Sequence, residues 1–315
     1  MIEKNKKIII LDVGGNELSN QLWNYASIYA YTLEKGYALE NPSFFEYGTY
    51  FRMNAADSFF KILFFEPFRN YNKRKTALRR KIWRKIYMWY AKQFTNRYKD
   101  LIVVAKSPDN TPLYLPPTRE SEGRLRELEK NNDNAYFVGW LFRNPVGMEK
   151  HRKEIKEYFT PRKDIGGIVD LRIKELKNRF RKIIGVHIRQ VDYKNWRGGI
   201  YFVPQTRVRE ILDEYVKENK LDVKSICFLI TSDGPIDKKN FEGLNVWISK
   251  EKAVTDLFLL SSTDAVIGSN STFGAFASYL GNIPFIVMKN GKIDWEYYKE
   301  KTAFFENKYS TFVHY

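Results

Sequence analysis

Cysteine is almost absent from this chain of 315 residues, which contains one, Cys227. A single thiol excludes an internal disulfide framework and is typical of a protein kept in a reducing compartment. Cys227 lies in the apolar run SICFLIT, and a free cysteine in such a run is usually packed and unreactive. We therefore interpret it as a buried structural residue.

Long apolar runs are also missing, because none approaches the ~20 residues that cross a bilayer. The N-terminal stretch MIEKNKKIIILDVGG has only a short apolar part before an acidic residue and two glycines, which fits neither a signal peptide nor a membrane anchor. With 43% hydrophobic residues, the chain is long enough for two domains and too polar for a polytopic membrane protein. We expect a soluble, cytoplasmic protein of bacterial type.

Acidic residues are absent from one stretch of the chain. No Asp or Glu lies between Pro67 and Lys99, where twelve Lys and Arg supply most of the net charge of +16. Apolar residues recur there at helical spacing, which predicts a basic amphipathic helical insertion at about 67–99. The predicted apolar face carries Leu78, Ile82, Ile86, Trp89 and Tyr90, and the residues mostly opposite are Arg79, Arg80, Lys81, Arg84 and Lys85.

Three interpretations of this helix compete. A helix lying on anionic lipid has this pattern, with Trp and Tyr at the level of the headgroups. A core helix with a solvated basic face has it too. Nucleic-acid binding would use the same charges on phosphates, but no recognised nucleic-acid motif accompanies them. We expect residues 73–97 to contact an anionic membrane surface, on the inner face of the cell membrane, and we expect no nucleic-acid partner.

Strand and helix patterns alternate along the chain, which indicates an α/β fold with mainly parallel sheets covered on both faces. In the first half, KKIIILDV predicts a strand, NQLWNYASIYAYTLEKG a helix, NAYFVGWLF a strand and NPVGMEKHRKEIKEYFT a helix. The second half alternates more regularly, from KIIGVHI to IPFIVMK. We predict two Rossmann-like domains, 1–163 and 164–315, with the junction in PRKDIGGIVD.

Polar residues follow several strands of the second half. His187, Arg189 and Asp192 follow KIIGVHI, Ser232 and Asp233 end FLITSDG, Asp256 opens a helix, and Asn270, Ser271 and Thr272 lie at a strand-to-helix junction. Ligands of open α/β sheets bind beyond the carboxyl ends of strands, and a helix start with hydroxyls suits phosphate. The structural alternatives are helix capping for Asp256 and Ser271, and a core position for His187.

Three blocks of the sequence resemble the α1,2-fucosyltransferases and their wider group of fucosyltransferases with the two-domain GT-B architecture. They are GGNELSNQLWNYA from Gly14 to Ala26, HIRQVDY from His187 to Tyr193, and DLFLLSSTDAVIGSNSTFGAFASYL from Asp256 to Leu280. The chain departs from the family pattern in each block. The first has two extra residues, Asn16 and Glu17, and Ser19 in place of a glycine. Gln190 replaces the second arginine of the second block, and Gly274 and Phe276 replace two tryptophans of the third.

The resemblance implies a GT-B fold, with two Rossmann-like domains facing each other across a cleft, and a metal-independent, inverting transfer of fucose from GDP-fucose. The chain contains no Asp-x-Asp motif for a divalent cation. Arg189 matches the arginine that binds the β-phosphate, and Asp192 is a candidate base or the ion-pair partner of Arg189. The implied nucleotide-binding residues are Gly14, Gly15, Asn20, Gln21, His187, Arg189, Asp256, Asn270, Ser271 and Thr272, with Asp233 as a weaker candidate.

The implied acceptor is a glycan, with transfer to a hydroxyl such as O2 of a galactoside in a bacterial surface glycan or a lipid-linked oligosaccharide. Aromatic side chains suit the apolar face of a sugar, and the candidates are Trp23, Tyr25, Tyr47, Tyr50, Trp196 and Tyr201. Because Gln190 replaces an arginine, another nucleotide sugar with a rhamnosyl, galactosyl or galactofuranosyl group stays open. A non-catalytic binding protein for glycans or nucleotides is the alternative from another class.

Overall fold

A computed structural model describes residues 6–11, 17–48, 50–53, 73–97, 102–105, 112–115 and 134–299. The chain divides into two compact units, Met1–Arg162 and Lys163–Tyr315. The division falls inside the segment PRKDIGGIVD, where a helix begins at Lys163. Gly14 and Gly15 lie outside the described residues.

The first unit contains a four-stranded sheet in the order β2-β1-β5-β3, with every pairing parallel. Its strands are β1 Lys7–Leu11, β2 Ala38–Glu40, β3 Ile102–Ala105 and β5 Asn134–Gly139, and a separate two-stranded ladder joins β4 Leu113–Tyr114 to β6 Phe142–Arg143. The helices are α1 Leu18–Lys35, α2 Phe45–Gly48, α3 Lys73–Arg97, α4 Pro145–Lys150 and α5 Arg152–Tyr158.

Helix α1 is the central packing element of this unit. It is buried along most of its length, and Gly36 ends it in a left-handed conformation with φ 67°, its N–H donating to the carbonyl of Thr32, as predicted for a glycine C-cap. Trp23 and Tyr25 are each 1% exposed, so the structure places them in the core and removes them from the sugar-stacking candidates.

Two predicted elements of the first unit are divided in the structure. The run NAYFVGWLF forms β5 and β6, because Gly139 has a positive φ of 113° and turns the chain between them. The predicted helix over 144–160 forms α4 and α5, which meet at His151 with non-helical φ −105° and ψ 27°.

Helix α3 packs on the first unit through residues outside the apolar face that the sequence pattern identifies. Tyr87 and Ala91 are buried, and the ring of Tyr87 lies 5.4 Å from that of Phe45. Arg84 binds Glu46, with Nε to Oε1 at 2.5 Å and Nη2 to Oε2 at 3.2 Å.

The predicted apolar face of α3 is exposed to solvent. Ile82 is 49% exposed, Ile86 41% and Trp89 64%. The interpretation of α3 as a core helix, which would bury this face, is therefore wrong. Among the helices that the structure describes, none combines the length and the apolar character needed to cross a membrane.

The second unit is a five-stranded parallel sheet in the order β11-β10-β7-β8-β9. Its strands are β7 Lys182–Ile188, β8 Ile226–Ser232, β9 Val246–Ile248, β10 Ala265–Ser269 and β11 Phe285–Met288. The helices are α6 Lys163–Lys177, α7 Gln205–Glu218, α8 Ala253–Ser261, α9 Thr272–Gly281 and α10 Trp295–Lys299.

The core of the second unit is formed by the inner strands of the sheet and the helices packed on them. The inner strands β7, β8 and β10 are buried almost throughout, which fits their near-continuous apolar runs. Helix α7 buries Val208, Ile211, Leu212 and Tyr215 against the sheet, at helical spacing. Cys227 is buried and unpaired, as predicted.

The strand order places one crevice in this sheet. Numbered within the unit, the order is the doubly wound 3-2-1-4-5, in which the chain runs outward in one direction from the first strand and later returns to its other side. Here the first strand is β7 and the returning strand is β10, and the two are paired neighbours. Ligands of such sheets bind at the carboxyl ends of these two strands.

Candidate functional site

His187 lies near the end of β7, at this crevice. Its side chain is 4% exposed, Nδ1 lies 3.3 Å from Oγ1 of Thr231, which is its partner in the register with β8, and its ring packs 4.7 Å from Phe273. Burial, reinforced by the charge of Arg189, lowers the pKa of His187 to about 3. The imidazole is therefore neutral at physiological pH.

One nitrogen of His187 has no hydrogen-bond partner among the residues that the structure describes. Nε2 is buried without a hydrogen bond, and buried polar atoms in this state call for an explanation such as a ligand. The Thr231 hydroxyl donates to the carbonyl of Val186, so it accepts from Nδ1–H. Nε2 is then a hydrogen-bond acceptor, suited to an N–H or O–H group of a ligand.

Arg189 follows β7 and is held by two carboxylates. Asp192 accepts from Nε at 2.7 Å and from Nη2 at 2.9 Å, and Oδ2 of Asp233 lies 3.1 Å from Nε. The bond to Asp192 is the main reason that the pKa of Arg189 is raised and that of Asp192 lowered. Of the two roles left open for Asp192, the geometry is that of an ion pair, and a carboxylate so paired is a weak base.

Asp233 organises the loop after β7 in addition to pairing with Arg189. Its Oδ1 accepts from the backbone N–H of Gln190 at 2.7 Å and of Val191 at 3.4 Å. Through these contacts Asp233 stabilises the loop at the crevice.

Gln190, which stands where the family has a second arginine, also belongs to the structural framework. Its side chain is buried and donates from Nε2 to Ser232 Oγ at 2.8 Å and to the carbonyl of Pro235 at 3.0 Å, while Oε1 accepts from Gln205 at 2.9 Å. This amide joins the ends of β7 and β8 and the start of α7. Arg189 is consequently the one arginine of the block.

The N-terminus of α9 faces the same edge, directly after β10. Asn270, Ser271 and Thr272 are all buried. Ser271 is the N-cap residue, but its side chain makes no capping bond and its Oγ is buried without a partner. The structural alternative for Ser271, a side-chain cap on α9, is therefore not observed. A helix N-terminus of this kind suits an anionic ligand.

Asp256 does not cap a helix either. The N-cap of α8 is Lys252, and Asp256 lies in the first turn, where its carboxylate accepts from the hydroxyl of Ser249. Burial raises the pKa of Asp256 to about 7, with a smaller contribution from Glu251 and an opposing one from Ser249. A buried carboxylate with this pKa is a common mark of a functional site.

Two further residues, which sequence reasoning did not select as site residues, connect the two sides of the crevice. Ser269 accepts from the backbone N–H of Arg189 at 3.0 Å, and the hydroxyl of Tyr193 donates to the carbonyl of Asn270 at 2.8 Å. Their positions could have identified them in the sequence, because Ser269 ends β10 and Tyr193 ends the HIRQVDY block.

The departures in the third block have a steric reason. A Cβ atom at Gly274 would lie 3.0 Å from the ring of Phe285, so this position has no room for a tryptophan. Phe276 is completely buried. Both positions are core contacts of α9.

Two of the candidate nucleotide-binding residues that the structure describes lie in the first unit. Asn20 and Gln21 lie in the first turn of α1, and Gln21 is 8% exposed with its Oε1 buried and unpartnered. The neighbouring Asn24 is fully used by the fold, since it donates to the carbonyl of Gly139 and accepts from the N–H of Phe142. Gln21 therefore has a buried acceptor without a hydrogen-bond partner among the described residues, whereas both polar atoms of Asn24 are bonded within the fold.

The crevice of the second unit combines a fixed guanidinium, a helix N-terminus and two buried polar atoms, His187 Nε2 and Ser271 Oγ, that have no hydrogen-bond partner among the described residues. This set suits a phosphorylated ligand. In the ranges that the structure describes, no group of three metal-binding side chains occurs. The fold and this edge define a protein with the organisation of the α/β nucleotide-binding class.

Comparison with protein families identifies the chain more closely. Residues 131–310 match the model of glycosyl transferase family 11, and this is more than half of the chain. The protein belongs to glycosyl transferase family 11 and is a glycosyltransferase. Comparison with curated protein sequences gives no match.

Solved structures similar to this chain include fucosyltransferases of GT-B architecture, which confirms the predicted fold class. A NodZ α-1,6-fucosyltransferase soaked with GDP-fucose is 14% identical, over 92% of this chain and 97% of that one, with a TM-score of 0.52. An Arabidopsis thaliana FUT1 mutant in complex with GDP is also 14% identical, over 92% and 72%, with a TM-score of 0.51. POFUT1 in complex with GDP is 12% identical, over 92% and 100%, with a TM-score of 0.51.

Proposed function

We propose that this glycosyltransferase transfers fucose from GDP-fucose to a sugar hydroxyl, with the nucleotide bound at the carboxyl edge of the second sheet. One observation carries the proposal: the N–H of Arg189 donates to Ser269 at 3.0 Å, which ties the guanidinium loop to the strand that leads into α9. A cation and a helix N-terminus thereby meet at the switch point of the sheet. Similar structures in complex with GDP or soaked with GDP-fucose support guanine as the base.

In this reaction the bond between C1 of fucose and the β-phosphate oxygen breaks, and its electron pair stays on the diphosphate. The acceptor oxygen bonds to C1 from the opposite face, which inverts the configuration, and its proton passes to solvent or to a base. Arg189 and the positive end of the α9 dipole stabilise the negative charge that develops on GDP. No divalent cation is needed for this task.

The nitrogen atoms of Arg189 divide between structure and ligand. Asp192 uses Nε and one hydrogen of Nη2, and Nη1 has no protein partner within the described residues. We assign Nη1 to the β-phosphate. His187, with its acceptor Nε2, and Asp256, with its buried carboxyl group, are assigned to the guanine base, whose ring and amino N–H groups are donors.

For the acceptor, we propose O2 of a galactoside, in a bacterial surface glycan or a lipid-linked oligosaccharide. The support is the resemblance of the three sequence blocks to α1,2-fucosyltransferases, the first of which forms the start of α1. We place the meeting with this acceptor at the inner face of the cell membrane.

Helix α3 supports a place at that membrane. The side of α3 that packs on the first unit is formed by Tyr87, Ala91 and the Arg84–Glu46 pair. The exposed stripe of Ile82, Ile86 and Trp89 is not needed for that packing. Lys85 and Lys92, on the same exposed side, have exposed side chains. Apolar side chains flanked by lysines match the boundary between acyl chains and anionic headgroups.

A panel of free nucleotides tests the donor. GDP at about 100 times its Kd is expected to stabilise the protein by about 2.7 kcal/mol, and UDP or dTDP at the same concentration is expected to give no shift in Tm. Stabilisation by UDP or dTDP in preference to GDP would overturn the donor and favour another nucleotide sugar.

Turnover tests the mechanism. Arg189→Ala is expected to lower kcat/KM for GDP-fucose by about 10² or more, because it removes the principal cation from the leaving group. EDTA is expected to leave the wild-type rate unchanged. Loss of activity in EDTA with recovery on adding manganese, or a normal rate in the alanine variant, would contradict this mechanism.

A further inference from the structure

Ser249 is the first residue after β9, at the carboxyl edge of the second sheet. Its N–H donates to the carbonyl of Ile230 at 2.8 Å, which continues the parallel register of β8 with β9 by one residue. Because Thr231 is paired with His187 in the register of β7 with β8, Ser249 lies in the same row as these two residues. It therefore lies at the edge of the proposed nucleotide site, and the proposed function gives it no role.

The hydroxyl group of Ser249 both accepts and donates a hydrogen bond. Its oxygen accepts from the backbone N–H of Glu251 at 3.1 Å, and its hydrogen is donated to Oδ1 of Asp256. An ionised carboxylate has no hydrogen to give, so Ser249 is the donor in the second bond. This bond restrains the rotation of the carboxylate about the Cβ–Cγ bond of Asp256. It also opposes the rise in the pKa of Asp256 that burial causes, and so favours the charged form.

The carboxylate of Asp256 keeps acceptor capacity for a ligand. Its two oxygen atoms offer about four lone pairs, and among the residues that the structure describes the bond from Ser249 is the one hydrogen bond that reaches them. Asp256 is 9% exposed, so water can satisfy little of the remainder. A buried carboxylate with a single donor is costly, and a ligand with N–H groups would stabilise it.

Guanine carries two kinds of donor side by side, the ring N1–H and the amino group at C2. A carboxylate presents two oxygen atoms in one plane and can accept from both donors at once, as it does from the two parallel N–H groups of a guanidinium. Such a two-point pair requires the plane of the carboxylate to coincide with the plane of the base. The strength of the pair therefore depends on whatever fixes the carboxylate plane before the nucleotide binds.

We propose that Ser249 is a positioning residue for base selection, which holds the carboxylate of Asp256 in the orientation that accepts from both N1–H and the amino group of guanine. This inference rests on the proposed function, in which Asp256 binds the base, and deepens it. Ser249 acts on the nucleotide through the carboxylate, and the backbone N–H of Glu251 fixes the direction in which the serine hydroxyl points.

Inosine diphosphate (IDP) tests this role, because its base keeps the ring N1–H of guanine and lacks the amino group. Calorimetry with the full chain measures the Kd of GDP and of IDP. The wild type is expected to bind GDP about tenfold more tightly than IDP or better, as one hydrogen bond to a charged acceptor allows. Ser249→Ala is expected to weaken GDP about tenfold and to reduce the preference for GDP to within about threefold. Ser249→Thr keeps the hydroxyl and is expected to retain the preference.

Ser225→Ala is the matched control for the loss of a serine hydroxyl. Ser225 is half-buried in the same unit, and its hydroxyl donates to the carbonyl of Asp222 at 2.8 Å. It precedes β8 and so lies at the opposite edge of the sheet. This variant is expected to keep the wild-type preference for GDP over IDP. A loss of preference equal to that of Ser249→Ala would show a general effect of destabilisation and would overturn the assignment.

A combination with Asp256→Asn shows whether Ser249 acts through the carboxylate. In that background Ser249→Ala is expected to change the Kd of GDP by less than about twofold, because the group that it positions is already replaced. A further tenfold loss there, a wild-type preference in Ser249→Ala, or equal binding of GDP and IDP by the wild type would overturn the role of Ser249 and leave GDP as the donor nucleotide. Failure of the wild type to bind GDP would instead contradict the proposed donor, and this inference with it.

Discussion

Arg189 and Asp192 form a two-point ion pair across one turn of the loop after β7, with Nε to Oδ1 at 2.7 Å and Nη2 to Oδ2 at 2.9 Å. Bidentate pairs of this kind fix both the position and the plane of a guanidinium. The pair therefore orients the cation toward the crevice before a ligand arrives, and the carboxylate that holds it is not available as a strong base.

The first prediction concerns Asp192→Asn. We expect kcat to fall by less than about tenfold, because the amide oxygen still accepts one hydrogen bond from Arg189, whereas the loss of a general base costs about 10² to 10⁴. Steady-state kinetics with GDP-fucose measure this, with Arg189→Ala as the reference for a lost cation. A fall in kcat as large as that of the reference would make Asp192 a base.

The second prediction concerns the pH dependence of stability and His187. The folded pKa of about 3 lies below the ordinary value of 6.5, so the unfolded chain binds a proton in this window that the folded chain does not. Stability is therefore expected to decrease as the pH falls below 6.5, by up to about 1.4 kcal/mol per pH unit from this group. His187→Gln removes that contribution.

Urea unfolding at pH 7.5 and pH 5 measures the effect. The difference in free energy of unfolding between His187→Gln and wild type is expected to shift in favour of the variant at pH 5. The value at pH 7.5, where His187 is neutral in both states, is the internal control. Equal differences at the two pH values would show that His187 is charged in the folded protein.

How far the sequence alone predicts this structure depends on whether a feature is local. The strands β7, β8 and β10 and the C-cap at Gly36 were predictable, because apolar runs and glycine turns act through neighbouring residues. The strand order could not be read from these patterns. Only the order shows that His187 and Ser271, far apart in sequence, lie at the same switch point.

Helix α3 shows that the sequence pattern does not identify which apolar residues pack on the unit. Both Ile82-Ile86-Trp89 and Tyr87-Ala91 follow helical spacing, and periodicity cannot choose between two apolar faces of one helix. The choice is made by long-range contacts of Tyr87 with Phe45 and of Arg84 with Glu46. Likewise, capping was the structural alternative for Asp256, and it fails because α8 begins earlier than Asp256.

The third prediction concerns Asp256. Its folded pKa of about 7 lies above the ordinary value of 3.8, so the folded chain keeps a proton that the unfolded chain releases, and stability is expected to fall as the pH rises between these values. Asp256→Asn carries no charge and can still accept from Ser249. We expect the difference in Tm, variant minus wild type, to be larger at pH 8 than at pH 5. Differential scanning calorimetry measures this difference. A gap in Tm that is the same at both pH values would contradict the raised pKa.

The fourth prediction concerns the exposed stripe of α3. Vesicles containing phosphatidylglycerol are expected to sediment the wild type in low salt, and Ile82→Ser combined with Trp89→Ser is expected to weaken binding by about tenfold or more, since each buried apolar side chain contributes about 1.5 to 3 kcal/mol.

The design of the charge variants follows from the contacts of α3. Lys85→Glu and Lys92→Glu are suitable, because both side chains are exposed, whereas Arg84 must be kept, since it binds Glu46. The two charge reversals are expected to weaken vesicle binding most at low salt, where screening is least. Ile168→Ser with Leu171→Ser, on the exposed side of α6, is the matched control and is expected to sediment as the wild type does. Equal sedimentation of all variants would show that the stripe does not bind lipid.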